Sequence, residues 1–227
     1  MKLNKRIKCA IDSPAASGAG TISKMLANHY NLIYCDTGKI YRLLALELIK
    51  KKFNGKVKIK NLRKISRKIN LKKLKNRNLL NDKVAFVASQ IAKDLRVRKL
   101  VLKFQKNIAY NPPKKWNGSI LDGRDIITKV VPDADFKFYI TANINVRARR
   151  RYLELKKLGK SVKFNEILQM MKKRDKEDRT RKHSRLKKTK DSYLINTTNL
   201  SIKSSFLKVK EIMDRKLNKK YGSNKTK

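Results

Sequence analysis

Short, nearly continuous apolar runs alternate along this chain with longer stretches in which apolar residues return every third or fourth position. The runs Ile7-Lys8-Cys9-Ala10-Ile11, Asn31-Leu32-Ile33-Tyr34-Cys35, Ser119-Ile120-Leu121, Phe136-Lys137-Phe138-Tyr139-Ile140 and Tyr193-Leu194-Ile195 read as strands. A helix follows the first run through His29. The helix after Cys35 is apolar on nearly all sides, at Ile40, Leu43, Leu44, Leu46, Leu48 and Ile49, which predicts that it is largely buried. From Lys50 to Lys83 dense Lys and Arg leave only thin apolar spacing, as in Val57-Lys58-Ile59-Lys60 and Leu71-Lys72-Lys73-Leu74, and predict a peripheral, partly helical excursion. One long helix is predicted from Val84 to Ile108, with Ala88, Ile91, Leu95, Leu100, Val101 and Phe104 on its apolar side. Two further helices open at Arg147 and at Phe164, and Ile202, Phe206, Val209, Ile212, Met213 and Leu217 mark the last one. The polar, basic residues beyond Asn218 read as a frayed end. Strands alternating with helices make this an α/β chain.

Candidate chemistry sits at the ends of these strands. Ile11-Asp12-Ser13-Pro14-Ala15-Ala16-Ser17-Gly18-Ala19-Gly20-Thr21 joins a buried strand to a helix through small residues. In such a loop successive backbone N–H groups turn inward and the helix adds its positive end, which suits a phosphate chain. The same plan also opens α/β domains that bind nothing there. A strict phosphate loop has Gly in place of Ser13 and Lys in place of Ala19. Asp122-Gly123-Arg124-Asp125 ends the third strand, where open α/β sheets bind ligands, although a salt-bridged turn would read alike. Arg42 lies in the first turns of the second helix, where a cation is unfavourable unless an anion is near. The apolar stripe Phe164, Ile167, Leu168 and Met171 continues at helical spacing onto Arg174, Asp178 and Arg181, which face a polar ligand or brace the helix itself. Ser89 and Arg98 read as surface positions on their helix.

Composition changes this picture little. A chain of 227 residues builds one substantial core with smaller excursions. Its 61 Lys and Arg against 17 Asp and Glu give a net charge of +44, a field that attracts phosphates, nucleotides and nucleic acids. The basic residues are scattered among many Asn and Ile, as an A/T-rich coding bias would scatter them, so the charge argues only weakly for RNA. Cys9 and Cys35 have no CxxC and no His at metal spacing, and read as reduced core residues. Met1 to Arg6 lead into the first strand without an apolar signal core and no run approaches membrane-spanning length, so the cytoplasm is the expected compartment.

The ordered set of motifs resembles the bacterial cytidylate kinase family of nucleoside monophosphate kinases over nearly the full length. The set comprises Ile11-Asp12-Ser13-Pro14 through Thr21, Asp36-Thr37-Gly38-Lys39-Ile40-Tyr41-Arg42, Ser89-Gln90-Ile91-Ala92, Val97-Arg98, Asp122-Gly123-Arg124-Asp125, Arg174-Asp175, Asp178-Arg179 and Arg181. The resemblance implies a five-stranded parallel sheet flanked by helices, the phosphate-loop fold of nucleoside monophosphate kinases, with an acceptor-binding excursion and a lid. It implies a core of residues 1–49, 99–146 and 186–227, an excursion over 50–98 and an Arg-rich lid over 147–185. The implied reaction transfers the terminal phosphoryl of ATP, with Mg²⁺, to CMP or dCMP in a monomeric enzyme. Carried over, Ser13, Pro14, Ala15, Ala16, Ser17, Gly18, Ala19, Gly20 and Thr21 hold the ATP phosphates, joined by Arg147, and Thr21 is the one expected protein ligand to the metal. Asp36, Tyr41, Arg42, Arg98, Arg124 and Arg174 lie at the acceptor phosphate or nucleoside, and Ser89, Asp125, Asp178 and Arg181 read base and sugar. Arg124, Arg150, Arg151 and Arg181 neutralise charge during transfer.

Two positions depart from the family pattern. Ser13 replaces a Gly, and Ala19 replaces the Lys that reaches the outer phosphates. Either another cation supplies that charge, the enzyme is slow, or the chain binds nucleotide or RNA without catalysis. Lys39, where the family usually has a small residue, is the candidate replacement. The family's excursion commonly carries a small sheet, for which Leu71 to Lys83 is too short and too rich in lysine.

Overall fold

The computed structural model describes residues 6–51, 59–67 and 69–221. The lead-in read at Met1 to Lys5, the Val57-Lys58 spacing and the last six residues of the frayed end lie outside the described residues. Five strands form one sheet: β1 (Ile7–Asp12), β2 (Ile33–Asp36), β3 (Gly118–Gly123), β4 (Phe136–Thr141) and β5 (Tyr193–Asn196). Their order is β2-β3-β1-β4-β5, and every neighbouring pair is parallel. Parallel neighbours need crossover helices, which cover both faces of the sheet and explain why the inner strands read as continuous apolar runs.

The helices are α1 (Ala19–Tyr30), α2 (Thr37–Lys50), α3 (Ile59–Ser66), α4 (Asp82–Ile91), α5 (Leu95–Tyr110), α6 (Ile144–Lys157), α7 (Phe164–Thr180) and α8 (Ile202–Tyr221). On one face Ala10, Cys35 and Leu121 meet α2 to α5; on the other Cys9, Ile11, Ile120 and Phe138 meet α1 and α8. A small third cluster joins Ala148 and Leu155 of α6 to Ile167 and Met171 of α7, and Ala15 and Ala16 of the loop after β1 pack against it. Helices α6 and α7 are thereby fixed beside that loop. No helix among the described residues is long and apolar enough to cross a membrane.

The single helix expected from Val84 to Ile108 is two helices, α4 and α5, separated at Ala92-Lys93-Asp94. Asp94 is extended (φ −79°, ψ 119°) and its carboxylate accepts the Arg96 N–H at 2.8 Å, which caps α5 and ends the run before it. Apolar spacing crosses this break unchanged, so periodicity alone conceals it. Between α3 and α4 the chain makes two short 3-10 turns, Lys73–Lys75 and Arg77–Leu80, and among the described residues the excursion carries no strand. Leu62, Ile65, Leu74 and Leu79 are buried and join the core under α2, so thin apolar spacing still sufficed to dock it.

Gly118 opens β3 with φ 150°, and a Cβ there would lie 1.9 Å from the Ile7 carbonyl oxygen and 2.7 Å from its nitrogen. The obstacle is backbone of the adjoining central strand, which cannot rotate away. Gly118→Ala is expected to destabilise the fold by about 3 kcal/mol or more, measured by urea denaturation, and a loss under about 1 kcal/mol would contradict this packing.

Candidate active site

The loop from Ser13 to Gly20 turns through two left-handed residues, Ala16 (φ 58°) and Gly18 (φ 89°), and Gly18 then accepts the N–H groups of Thr21 and Ile22 at the start of α1. Ser13 is not among the residues with positive φ; its N–H donates to the Gly123 carbonyl at 3.1 Å, an extension of the β1–β3 ladder. The glycine missing at this position is therefore not required by the backbone. The outward carbonyls of the loop are held from behind. The Thr197 hydroxyl donates to Ser17 O at 2.8 Å, Arg147 Nη1 to Ala15 O at 3.2 Å and Arg150 Nη1 to Ser17 O at 3.5 Å. The Ser17 hydroxyl itself is buried with no hydrogen-bond partner among the described residues.

Arg147 is 2% exposed and forms an ion pair with Asp175 of α7 at 2.6 Å, while its Nε donates to Ala142 O. Its guanidinium thus ties α6 and α7 to the loop. Arg150 binds the hydroxyl and carbonyl of Thr197, and Arg151 pairs with Glu154. Thr197, which sequence reading passes over, is the node behind the loop. Its only sequence signal is a small polar run, Asn196-Thr197-Thr198-Asn199, at the end of a parallel strand.

Beside the loop Asp122, next to last in β3, stands in register with Asp36 of β2. Tyr34 Oη donates to Asp122 Oδ2 at 3.1 Å, and a Cβ on Gly20 would sit 3.3 Å from the same oxygen, so the first turn of α1 lies against this carboxylate. Burial, and then the charge of Asp36, push Asp122 well above the usual carboxylate range. Asp36 caps α2 by accepting the Lys39 N–H at 3.3 Å. Lys39 is half-buried and its ammonium makes no hydrogen bond or ion pair with the described residues. Thr37 donates to the Asp122 carbonyl at 2.7 Å, and a side chain on Gly123 would come within 2.5 Å of that hydroxyl oxygen.

Across the strand ends stands a group of guanidinium ions. Arg124 Nε donates to Asp178 Oδ2 at 3.0 Å, and Arg181 donates to Asp178 Oδ1 at 3.0 Å. Arg98 Nη1 pairs with Asp125 at 3.1 Å, its Nε donates to Ala92 O at the α4–α5 break, and its guanidinium lies 5.7 Å over the Tyr41 ring. Arg42 donates to Leu79 O at 2.9 Å. Arg174 is solvent-exposed and makes no hydrogen bond or ion pair with the described residues. Enough protein surrounds its guanidinium that lost hydration, followed by the charge of Arg124 and then of Arg42 and Arg151, lowers it to about 10 against the pull of Asp178. Arg181 is lowered for the same reason, with Arg98 as the next cause. Ser89 stands apart: its hydroxyl donates to Phe86 O within α4.

The model of the family described as cytidylate kinase matches residues 9–215. The chain belongs to the cytidylate kinase family. It is 43% identical to the cytidylate kinase of Bartonella henselae over 87% of this chain and 89% of that one. It is 38% identical to that of Mesorhizobium japonicum over 90% and 93%, and 36% identical to that of Caldicellulosiruptor bescii over 92% and 96%. A solved structure of a protein from Eubacterium ventriosum, 16% identical, shares the fold with a TM-score of 0.54 over 92% of this chain and 99% of that one. The family match spans both the loop after β1 and the group of guanidinium ions.

Proposed function

We propose that this chain transfers the γ-phosphoryl group of ATP to CMP or dCMP, giving CDP or dCDP. The observation that carries the reading is Arg174, a guanidinium that makes no hydrogen bond or ion pair with the described residues and feels three cations, Arg124, Arg42 and Arg151, against the single carboxylate of Asp178. Like charges held so close repel one another, and an anion between them removes the repulsion. Phosphoryl transfer needs such positioning and charge neutralisation rather than a covalent participant.

In this reading residues Ser13 to Thr21 take the ATP phosphates on their inward N–H groups, and Arg147 braces the loop that holds them. Arg42, Arg98 and Arg124 receive the acceptor phosphate bidentately, with Tyr41 beneath Arg98. Asp125, Asp178 and Arg181, together with Ser89, read base and sugar, Asp178 accepting from the exocyclic amine of cytosine. Arg124, Arg150, Arg151 and Arg181 neutralise the transferring group, and Lys39 supplies the charge absent at Ala19. A magnesium ion fits beside α1, where the buried Asp122 carboxylate lacks a cationic hydrogen-bond partner among the described residues and Thr21 presents a hydroxyl; bound there it would screen the phosphate charge. The core spans 1–49, 99–146 and 186–227, the acceptor excursion 50–98 and the lid 147–185. The enzyme works as a monomer in the cytoplasm.

Steady-state ADP formation from ATP and Mg²⁺ with each nucleoside monophosphate in turn tests the reading. Turnover confined to CMP and dCMP is expected. No ADP formed with CMP, at enzyme concentrations that would reveal even a slow kinase, would overturn it.

A further inference from the structure

Asp12 closes β1 immediately before the phosphate loop, and at 0% exposure its carboxylate is out of reach of any nucleotide. Both of its oxygens are taken by consecutive backbone amides of another segment: Ile126 N–H at 2.8 Å and Ile127 N–H at 3.1 Å. These amides open the wide five-residue helical turn Ile126–Val130, whose capping position is Asp125. An aspartate at that position ordinarily caps its own helix by accepting the next free N–H groups. Asp125 makes no such bond; its carboxylate is turned away to Arg98 at 3.1 Å. The cap is supplied instead from β1.

We propose that Asp12 is a positioning residue for the acceptor: by capping the Ile126–Val130 turn from a different strand it releases Asp125 to hold Arg98 and sets Arg124 toward Asp178. The Ser13 N–H bond to Gly123 O, one residue along, locks the same two segments together, so the donor loop and the acceptor loop share one anchor. Burial works against a carboxylate here and pushes Asp12 up to about 7, while the two amides and Arg124 draw it down. An apolar side chain would avoid that desolvation but would leave both amides without a partner.

This inference rests on the proposed CMP kinase reading and is tested by calorimetry on the intact chain, with CMP and, separately, with the β,γ-imido analogue of ATP plus Mg²⁺. Asp12→Asn keeps one acceptor but presents N–H groups to the other amide, so Asp125 is drawn back to cap the turn. CMP is expected to bind at least about tenfold more weakly and the ATP analogue within about twofold of wild type. Arg98→Met should weaken CMP binding in wild type yet add little to Asp12→Asn, because the Asp125–Arg98 pair is already lost. Equal weakening of both ligands, full additivity with Arg98→Met, or unchanged CMP affinity would overturn the role. If Asp12→Asn does not fold, nuclear magnetic resonance of ¹⁵N-labelled wild type decides: the Ile126 and Ile127 amides should shift on saturation with CMP, and two unmoved amides overturn the proposal. Wild type that binds no CMP sinks the kinase reading and this inference together, whereas normal CMP binding in Asp12→Asn sinks only the latter.

Discussion

Arg174→Ala is expected to lower kcat/KM for CMP phosphorylation by about 10³-fold, the loss of one preorganised cation that holds the acceptor in line for transfer. The fold should not suffer. Arg174 makes no hydrogen bond or ion pair with the described residues, and its strongest charged neighbour is another cation, Arg124. Removing it deletes a repulsion, so Tm should stay level or rise while turnover collapses, the pattern of a residue placed for function at a cost in stability. Arg174→Lys keeps the charge but not the planar pair of donors and should recover only part of the rate. Paired kinetics and thermal melts check this. A drop of several degrees in Tm with an equal fall in CMP and ATP affinity would show instead that Arg174 supports the helix.

That contrast depends on placement that the sequence conveys unevenly. The inner strands are legible because both faces are buried and the apolar run is unbroken, and the helix pattern from Met171 reaches Arg174 and Asp178 of α7, but Arg181, expected on the same face, is the C-cap beyond the last helical residue (ψ 146°) and turns back to Asp178. Which of those charges is satisfied is not legible, because Asp178 finds Arg124 across 54 residues of chain. The Arg147–Asp175 pair and the Thr197 bond to Ser17, separated by 28 and 180 residues, likewise arise only when α6, α7 and the end of β5 meet the loop after β1. The α4–α5 break hides for a local reason: helical spacing asks only for apolar residues at the right intervals, and Ile91 and Leu95 supply them on either side of a cap that is chemical rather than periodic. Asp12 is visible as a strand end, but its task is set by amides 114 and 115 positions away.

Lys39→Ala is expected to cost turnover about 100- to 1,000-fold while leaving CMP affinity within a few fold, the loss that follows when a preorganised charge on the transferring group disappears. The position supports it. Asp36 lies in register beside Asp122, and Asp122 beside Ile11 of β1, so α2 opens about 10 Å, two strand spacings, from the end of β1 where the loop begins. Its ammonium is not committed to any described partner, unlike Arg147, whose guanidinium is buried against Asp175 and two carbonyls. Ala19 is 4% exposed at the start of α1, so Ala19→Lys must extend its stem along the loop to reach the cleft, as long cationic side chains do. If one charge is what the reaction lacks, Ala19→Lys should restore most of the rate lost in Lys39→Ala and add little to wild type. Lys24, exposed on α1 and near enough for its charge to act on Asp122, is the control. Unchanged turnover in Lys39→Ala together with slow turnover in Lys24→Ala would move the role to α1, whereas loss in Lys39→Ala without rescue by Ala19→Lys would mean that Lys39 does more than stand in for the missing loop lysine.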